Sequence, residues 1–360
     1  MMELSELRKL IDETDRQLLR LLEERMQLAV RTGRLKAVVG DPGREEEVLR
    51  NVRTSGFGLL GGPFLEALYR IILQESRALQ ELRPRLAAFQ GEHGAWSELA
   101  VRRLDPALVA MPCREFRDVF GAVGDGAMDV GVVPVENSIE GPVGEVNDLL
   151  VETDLRIVAE VLLPIHHCLL VLPDTDYREL QVVYSHPQAL AQCTGFLARH
   201  RLDPRPFYDT AGAARWLATE RPPSAGVIAS GLAAELFGLE IVKEGIEDHA
   251  ANTTRFLALA RSAEGRRGAK CSVVFATPHR AGALVDVLRA FTDEKLNLTR
   301  IESRPVRSDP GAFAFLLDFL GAEDDEHVAR ALARLPELTL NCKVLGFYAE
   351  AGAPPPPGVE

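Results

Sequence analysis

The stretch Asn252-Thr253-Thr254-Arg255-Phe256 sets a hydroxyl beside a guanidinium, with the apolar run Leu257-Ala258-Leu259-Ala260 directly behind it. An arginine fork grips a carboxylate through two parallel hydrogen bonds, and a neighbouring threonine can hand a hydrogen bond or a proton to a departing oxygen. Three such residues could sit in any strand, so their company matters. Gly131 to Gly141, with Glu136-Asn137-Ser138 inside it, reads as a buried strand ending in polar groups and a turn. Ser185-His186-Pro187-Gln188-Ala189 and Asp209-Thr210-Ala211-Gly212-Ala213 each read as a polar strand end leading into a helix. Gly91-Glu92-His93-Gly94-Ala95-Trp96-Ser97 follows a strand and opens another helix, where backbone N–H groups and the Ser97 hydroxyl can face an anion. It lacks the G-x-G-x-x-G spacing, which argues against a nicotinamide-dependent dehydrogenase.

A second set of candidates lies near the N-terminus. Arg25 and Lys36 are eleven residues apart. On one helix that is three turns, which puts both on one face with Cα atoms about 16 Å apart. Both side chains are long enough to close on one small dianion between them. Arg8 points about 100° off that face and lies too far along the axis to share a ligand within one chain. An antiparallel partner helix could deliver it. Ser76 and Gln80 sit one turn apart on a later helix and share a face.

The elements that must hold these residues fall into three textures. From about residue 3 to 82 the chain reads as helix, with Leu4, Leu7, Ile11, Leu18, Leu21, Leu22, Leu28 and Leu35 forming an amphipathic stripe. The stripe is long and unbroken, as expected of a helix packed on a partner. Asp41-Pro42 supplies an N-cap and a first-turn proline, and the short link from Lys36 requires a tight turn at Gly40. A third helix follows Pro63, and Pro84 marks the boundary. Short apolar runs then alternate with helical segments: 86–89, 130–135, 157–161, 168–172, 182–184 and 226–229. That alternation predicts α/β architecture with ligands at strand ends. Residues 261–269 read as a linker. Beyond it come a strand at 271–276, a helix at 283–291, strands at 298–302 and 312–319, a helix at 326–335 and a strand at 342–348, the βαββαβ ferredoxin-like order. The proline-rich stretch 351–360 is expected to be disordered.

Composition sets outer limits. At 360 residues the chain has room for two or three domains. A net charge of −12 disfavours nucleic acid or an anionic membrane as partner, while leaving room for local Arg and Lys to bind a dicarboxylate. Five scattered cysteines without a C-x-x-C pair fit reduced thiols in a cytoplasmic protein better than disulfides or a zinc site. No metal or cofactor is expected.

At these residues the chain resembles known families. Leu7-Arg8 through Asp15, Glu24-Arg25 through Lys36, Asp41-Pro42-Gly43-Arg44-Glu45 and Glu75 through Gln80 are similar to the all-helical chorismate mutases, in which an intertwined dimer forms two sites. The resemblance implies that Arg25, and Arg8 of the other subunit, bind the two substrate carboxylates. It implies that Lys36 and Gln80 bond the ether oxygen and Glu45 the ring hydroxyl, with Asp41, Arg44 and Ser76 lining the site. A pericyclic rearrangement needs a folded substrate and fixed positive charge at the breaking C–O bond, and no nucleophile. Residues 86–263 resemble prephenate dehydratases, whose cleft lies between two α/β lobes like those of a periplasmic binding protein. That implies Thr254 on the departing hydroxyl and Arg255 on a carboxylate, with Ser97, Glu136, Asn137, Ser138, Ser185, His186, Gln188 and Thr210 completing the pocket. Threonine is a poor acid, so a neighbour must polarise it. Gly282-Ala283-Leu284 and Glu302-Ser303-Arg304-Pro305 resemble the phenylalanine-binding type of ACT domain, which pairs side by side.

The expected organisation is thus a helical mutase domain over 1–84, a two-lobed α/β dehydratase over 85–263 and a ferredoxin-like ACT domain over 269–350. Together they would carry chorismate to prephenate and prephenate to phenylpyruvate, CO2 and water, with L-phenylalanine as effector, in a homodimer or dimer of dimers. Arogenate dehydration in the middle domain is one alternative; a non-catalytic amino-acid sensor is another. Bland readings also stand: His166-His167 as structural rather than metal-binding, His249 as loop surface, and Glu136 as the cap of a turn.

Overall fold

The computed structural model describes residues 3–36, 38–54, 58–263, 268–306 and 313–351. The proline-rich tail from 352 and linker residues 264–267 lie outside this set. The chain divides into two compact units, Met1–Arg85 and Leu86–Glu360.

The first unit is helical: α1 (Leu4–Leu35), α2 (Pro42–Thr54) and α3 (Gly62–Leu82). A capping box between Glu3 and Glu6 starts α1. Asp41 caps α2 by accepting from the Arg44 N–H at 3.0 Å, and Gly40 makes the preceding turn at φ +93°. Helix α1 ends at Leu35, and Lys36 follows as its C-cap, already extended at φ −101°. The apolar stripe is largely uncovered within the chain. Ile11, Leu18, Leu21 and Leu28 are each more than half exposed, and Val30 is the one residue of α1 that is buried.

The second unit holds three sheets. Strands β1 (Leu86–Gln90), β2 (Val109–Cys113), β3 (Val130–Asn137), β4 (Gly141–Pro142) and β5 (Arg156–Pro164) alternate with α4 (Trp96–Leu104), α5 (Phe116–Gly124) and α6 (Gly144–Glu152) to form the first lobe. The chain then crosses into a second lobe of β6 (Cys168–Val171), β7 (Val182–Ser185), β8 (Asp203–Pro206), β9 (Ala225–Ala229) and β10 (Glu240–Glu244). Its helices are α7 (Pro187–Gln192), α8 (Thr194–His200), α9 (Thr210–Glu220) and α10 (Gly231–Phe237). It returns through β11 (Thr253–Ala260), which inserts antiparallel between β3 and β5, giving the order β2-β1-β3-β11-β5. The second sheet runs β10-β6-β9-β7-β8.

Strands β2, β8 and β10, which the sequence did not announce, all lie at sheet edges. The edge tolerates Pro112, Pro204 and Pro206, while central β3 carries Pro134 where its register with β11 shifts, between Arg255 and Phe256.

The C-terminal unit is β12 (Lys270–Ala276), α11 (Ala283–Asp293), β13 (Leu298–Pro305), β14 (Phe313–Leu320), α12 (Glu326–Leu338) and β15 (Asn341–Tyr348), with sheet order β13-β14-β12-β15. Cys271, Val273, Phe275, Leu317 and Phe319 pack under α11 and α12. Lys270, Ser272, Asp318 and Tyr348 point the other way, toward the first lobe. No described helix is long and apolar enough to cross a membrane.

Candidate active sites and effector pocket

Between the two lobes lies a cleft of about 400 Å³. From the first lobe Ser97, Asn137, Thr254 and Phe256 line it; from the second, His186, Gln188, Gln192, Asp209 and Thr210; His167 lines it where the chain crosses between them. Among the described residues, no arginine or lysine lines it. Polar contacts tie the lobes together on both sides. Glu140 accepts from Gln188 and, at 2.6 Å, from Gln192, while Glu92 accepts from Tyr208 and, at 2.9 Å, from Arg215.

Asn137 organises the Thr254 end. Its Oδ1 accepts from the backbone N–H groups of Ile139 and Glu140 at 2.9 and 3.1 Å. Its Nδ2 must therefore be the end that donates to Thr254 Oγ1 at 2.9 Å. Thr254 makes no donor bond among the described residues, so its hydroxyl hydrogen is left for the cleft.

Strand alternation sends Arg255 to the opposite face. There it is 5% exposed and donates to Glu160 at 2.7 Å, Asp318 at 2.7 Å, Glu136 at 3.1 Å and the Tyr348 hydroxyl at 3.0 Å. Burial works against its charge, but Asp318 and Glu160 more than offset this and raise its pKa above the ordinary value. Lys270 closes on Glu160 at 2.9 Å, and Ser272 donates to Asp318 at 2.6 Å. Burial, reinforced by Asp318, pushes the Tyr348 phenol up.

In the helical unit, Arg25 Nη1 donates to Ser76 Oγ at 2.6 Å, and Gln80 Nε2 to the Ala29 carbonyl at 2.8 Å. Gly33 passes so close to Gln80 that a Cβ there would sit 2.7 Å from its Cγ. Arg44 turns to Glu47 at 2.7 Å and Glu45 lies 3.5 Å from Arg77. Arg8 is exposed.

Comparison with known proteins follows these divisions. The chorismate mutase type II family model matches residues 7–81, prephenate dehydratase 87–264 and ACT domain 272–337. The bifunctional chorismate mutase/prephenate dehydratase of Escherichia coli K12 is 34% identical over 373 residues, covering 97% of each chain. The chain belongs to the bifunctional chorismate mutase/prephenate dehydratase family. Over 72% of its length it is also 40% identical to arogenate dehydratase/prephenate dehydratase 2 of Arabidopsis thaliana. The prephenate dehydratase of Arthrobacter aurescens, solved with L-Phe, superposes with a TM-score of 0.67 at 32% identity, covering 74% of this chain and 90% of that one.

Within the dehydratase domain, six of the ten residues expected in the pocket line the cleft: Ser97, Asn137, His186, Gln188, Thr210 and Thr254. The other four do not. Arg255 and Glu136 share the face turned to the ACT domain. Ser138 spends its hydroxyl on the Ala251 carbonyl at 3.0 Å, and Ser185 is fully buried on the Ile228 carbonyl at 2.6 Å. Sequence reasoning missed Gln192, although it stands one helical turn after Gln188 and so shares its face. It also gave no role to Asn252, whose two ends join Asn137 to Gln192 at 2.7 and 2.9 Å.

In the ACT domain Gly282, Ala283 and Leu284 line a pocket of about 210 Å³ with Thr277, Phe313 and Phe315. Gly282 stands at φ +84° just before α11, a conformation a side chain would strain. Glu302, Ser303 and Arg304 are not part of this pocket. Arg304 instead binds Asp148 of α6 at 2.5 Å, so β13 meets the dehydratase domain. Among the described residues no cluster of His, Cys, Asp or Glu is arranged to hold a metal.

Proposed function

We propose that the cleft dehydrates prephenate with Thr254 as proton donor and Asn137 as the group that polarises it. The observation that carries this is the forced orientation of Asn137, whose Nδ2 hydrogen bond to Thr254 Oγ1 steadies negative charge on that oxygen as its proton leaves. The ring C–O bond breaks as the Thr254 proton passes to the leaving oxygen. The C–C bond to the ring carboxylate breaks with it, its electron pair enters the ring, and water and CO2 depart. A solvent proton restores Thr254. A cleft without Arg or Lys suits this step, because a tightly paired carboxylate would hold back CO2. The helix starts at α4 and α9, with the Ser97 and Thr210 hydroxyls, supply neutral donors for the substrate's carboxylates.

Chorismate mutation falls to Arg25, Lys36, Gln80 and Ser76, with Glu45, Asp41 and Arg44 beside them. A second copy covers the exposed face of α1 and brings its own Arg8. The product of the first domain is the substrate of the second. L-phenylalanine occupies the ACT pocket, its carboxylate on the N–H groups that start α11 and its ring toward Phe313 and Phe315. The Asp209 carboxylate in the cleft favours one further substrate, arogenate, whose ammonium it would pair.

The test supplies pure protein with chorismate and follows prephenate and phenylpyruvate. Phenylpyruvate above the spontaneous rate is the expected result. Prephenate accumulating alone would sink the dehydratase assignment and make arogenate the next substrate. Lys36→Ala should remove the mutase activity and spare dehydration of added prephenate.

A further inference from the structure

Four residues beside Thr254 close a ring of hydrogen bonds that crosses from one lobe to the other and back. The Glu140 backbone N–H donates to Asn137 Oδ1 at 3.1 Å, and Asn137 Nδ2 donates to Asn252 Oδ1 at 2.7 Å. Asn252 Nδ2 donates to Gln192 Oε1 at 2.9 Å, and Gln192 Nε2 returns to Glu140 Oε1 at 2.6 Å. Every bond in the ring runs in the same sense. Two fixed points enforce it, since a backbone N–H can only donate and a carboxylate can only accept. Turning any one amide over would set like against like at both of its ends.

The members come from unlike places. Glu140 lies exposed in the turn between β3 and β4, Asn137 ends β3, and the buried Asn252 precedes β11. Gln192 ends α7 and is the ring's one member from the second lobe. The ring therefore closes only while that lobe stands against the first. Asn137 Nδ2 has two hydrogens to give. Asn252 takes one, and the other is held on Thr254 Oγ1 at 2.9 Å. Two backbone N–H groups on Asn137 Oδ1 polarise the amide and strengthen it as a donor.

Resting on the dehydratase reading, we infer that Asn252 is a positioning residue, which fixes the Asn137 amide on Thr254 only while Gln192 completes the ring. Asn252 is not among the residues lining the cleft, so it acts through Asn137 and not on the substrate. Parting of the lobes withdraws Gln192 and leaves Asn252 Nδ2 without its acceptor. Both amides are then free to turn, and the bond that steadies Thr254 slackens. The acid is armed by closure.

The test uses the full chain with added prephenate, and its first arm exchanges a carboxylate and an amide across the ring. Gln192→Glu keeps an acceptor for Asn252, and for His167 Nε2 at 2.7 Å, but turns an oxygen on Glu140. Dehydratase kcat should fall roughly 10–100-fold. Adding Glu140→Gln sets a donor opposite that oxygen, and the double variant should regain most of the rate. No regain would overturn the proposal. Glu140 is exposed and Gln192 half-buried, so this arm asks nothing of the core and decides the matter even where Asn252→Asp fails to fold. The second arm acts on Asn252 itself. Asn252→Asp keeps the acceptor for Asn137 and loses the donor to Gln192, so kcat should fall by a similar factor with KM little changed. Wild-type kcat, or a loss carried by KM alone, would overturn the proposal. In Thr254→Val protein the same change should cost nothing further, because the group it positions is gone. A further loss there would overturn the proposal and mark Asn252 as framework. Wild-type kcat in Thr254→Val alone would instead fail the acid assignment on which the inference rests.

Discussion

Thr254 and Arg255 are neighbours in the chain, yet they work in different compartments of the molecule. The cleft face of β11 carries Thr254 and Phe256, set among uncharged donors and acceptors whose polarity is fixed by backbone N–H groups and one carboxylate. The opposite face carries Arg255 into a nearly dry seam against the ACT sheet, where Arg255, Lys270 and Arg300 meet Glu136, Glu160 and Asp318. A two-residue period divides a compact motif into a side for chemistry and a side for assembly. Adjacent residues in a strand are thus poor evidence of a shared site. Proximity through the sheet, as between Asn137 and Thr254, is better.

If the division is real, substitutions one residue apart should fail in different assays. Thr254→Val keeps the shape and removes the hydroxyl. Dehydratase kcat should fall roughly 10³-fold, the scale of a lost general acid, with the unfolding midpoint unchanged. A threefold loss or less, measured with added prephenate, would move the acid elsewhere. Arg255→Met should do the reverse. It leaves Glu160 to Lys270 and Asp318 to Ser272 in a buried seam, each short of one charged partner, and removing one partner of a buried pair costs up to about 3–5 kcal/mol. Denaturant unfolding of residues 86–360 within the full chain should record that loss, while mutase turnover is unaffected. A stable Arg255→Met protein with abolished turnover would instead place the guanidinium on the substrate and erase the distinction between the faces.

The faces also explain what the sequence could and could not disclose. Helices α1 to α3 were legible because their signals are local: a three-to-four-residue stripe, Asp41-Pro42 at a start, Gly40 at a turn. The end of α1 was not, since nothing in Leu35-Lys36 marks the stop. Central strands announced themselves as apolar runs, whereas β8, written Asp-Pro-Arg-Pro, forms only because an edge leaves one side unpaired. Within the site, residue types with obvious chemistry were found. The destination of Arg255 was hidden because its partners Asp318 and Tyr348 lie more than sixty residues away. The role of Gln192 and Asn252 depends on which end of an amide faces which neighbour, and composition carries no record of that.

The smallest effect tests the frame of the cleft face rather than its chemistry. Glu98, buried on α4, accepts from the Gly94 N–H at 2.8 Å and from Arg102 at 2.8 Å and contacts His93 at 3.1 Å, tying down the loop that leads to Ser97. Burial alone would raise its pKa, but the His93 contact and the Gly94 and Arg102 bonds outweigh it and hold the pKa below the usual carboxylate value. A carboxyl depressed on folding stabilises the protein above its unfolded pKa of about 4.3, and that contribution fades as pH falls through the lower folded value. Glu98→Gln should therefore lower stability at neutral pH and flatten the acid limb of the stability profile, with the two proteins converging as pH falls through the depressed folded value. Because the loop and not the acid is disturbed, KM for prephenate should rise more than kcat falls. An acid limb identical to wild type would mean that the loop is held by the packing of Ala95 and of Gly94, where a Cβ would meet Ala233 at 3.0 Å, and not by the carboxylate.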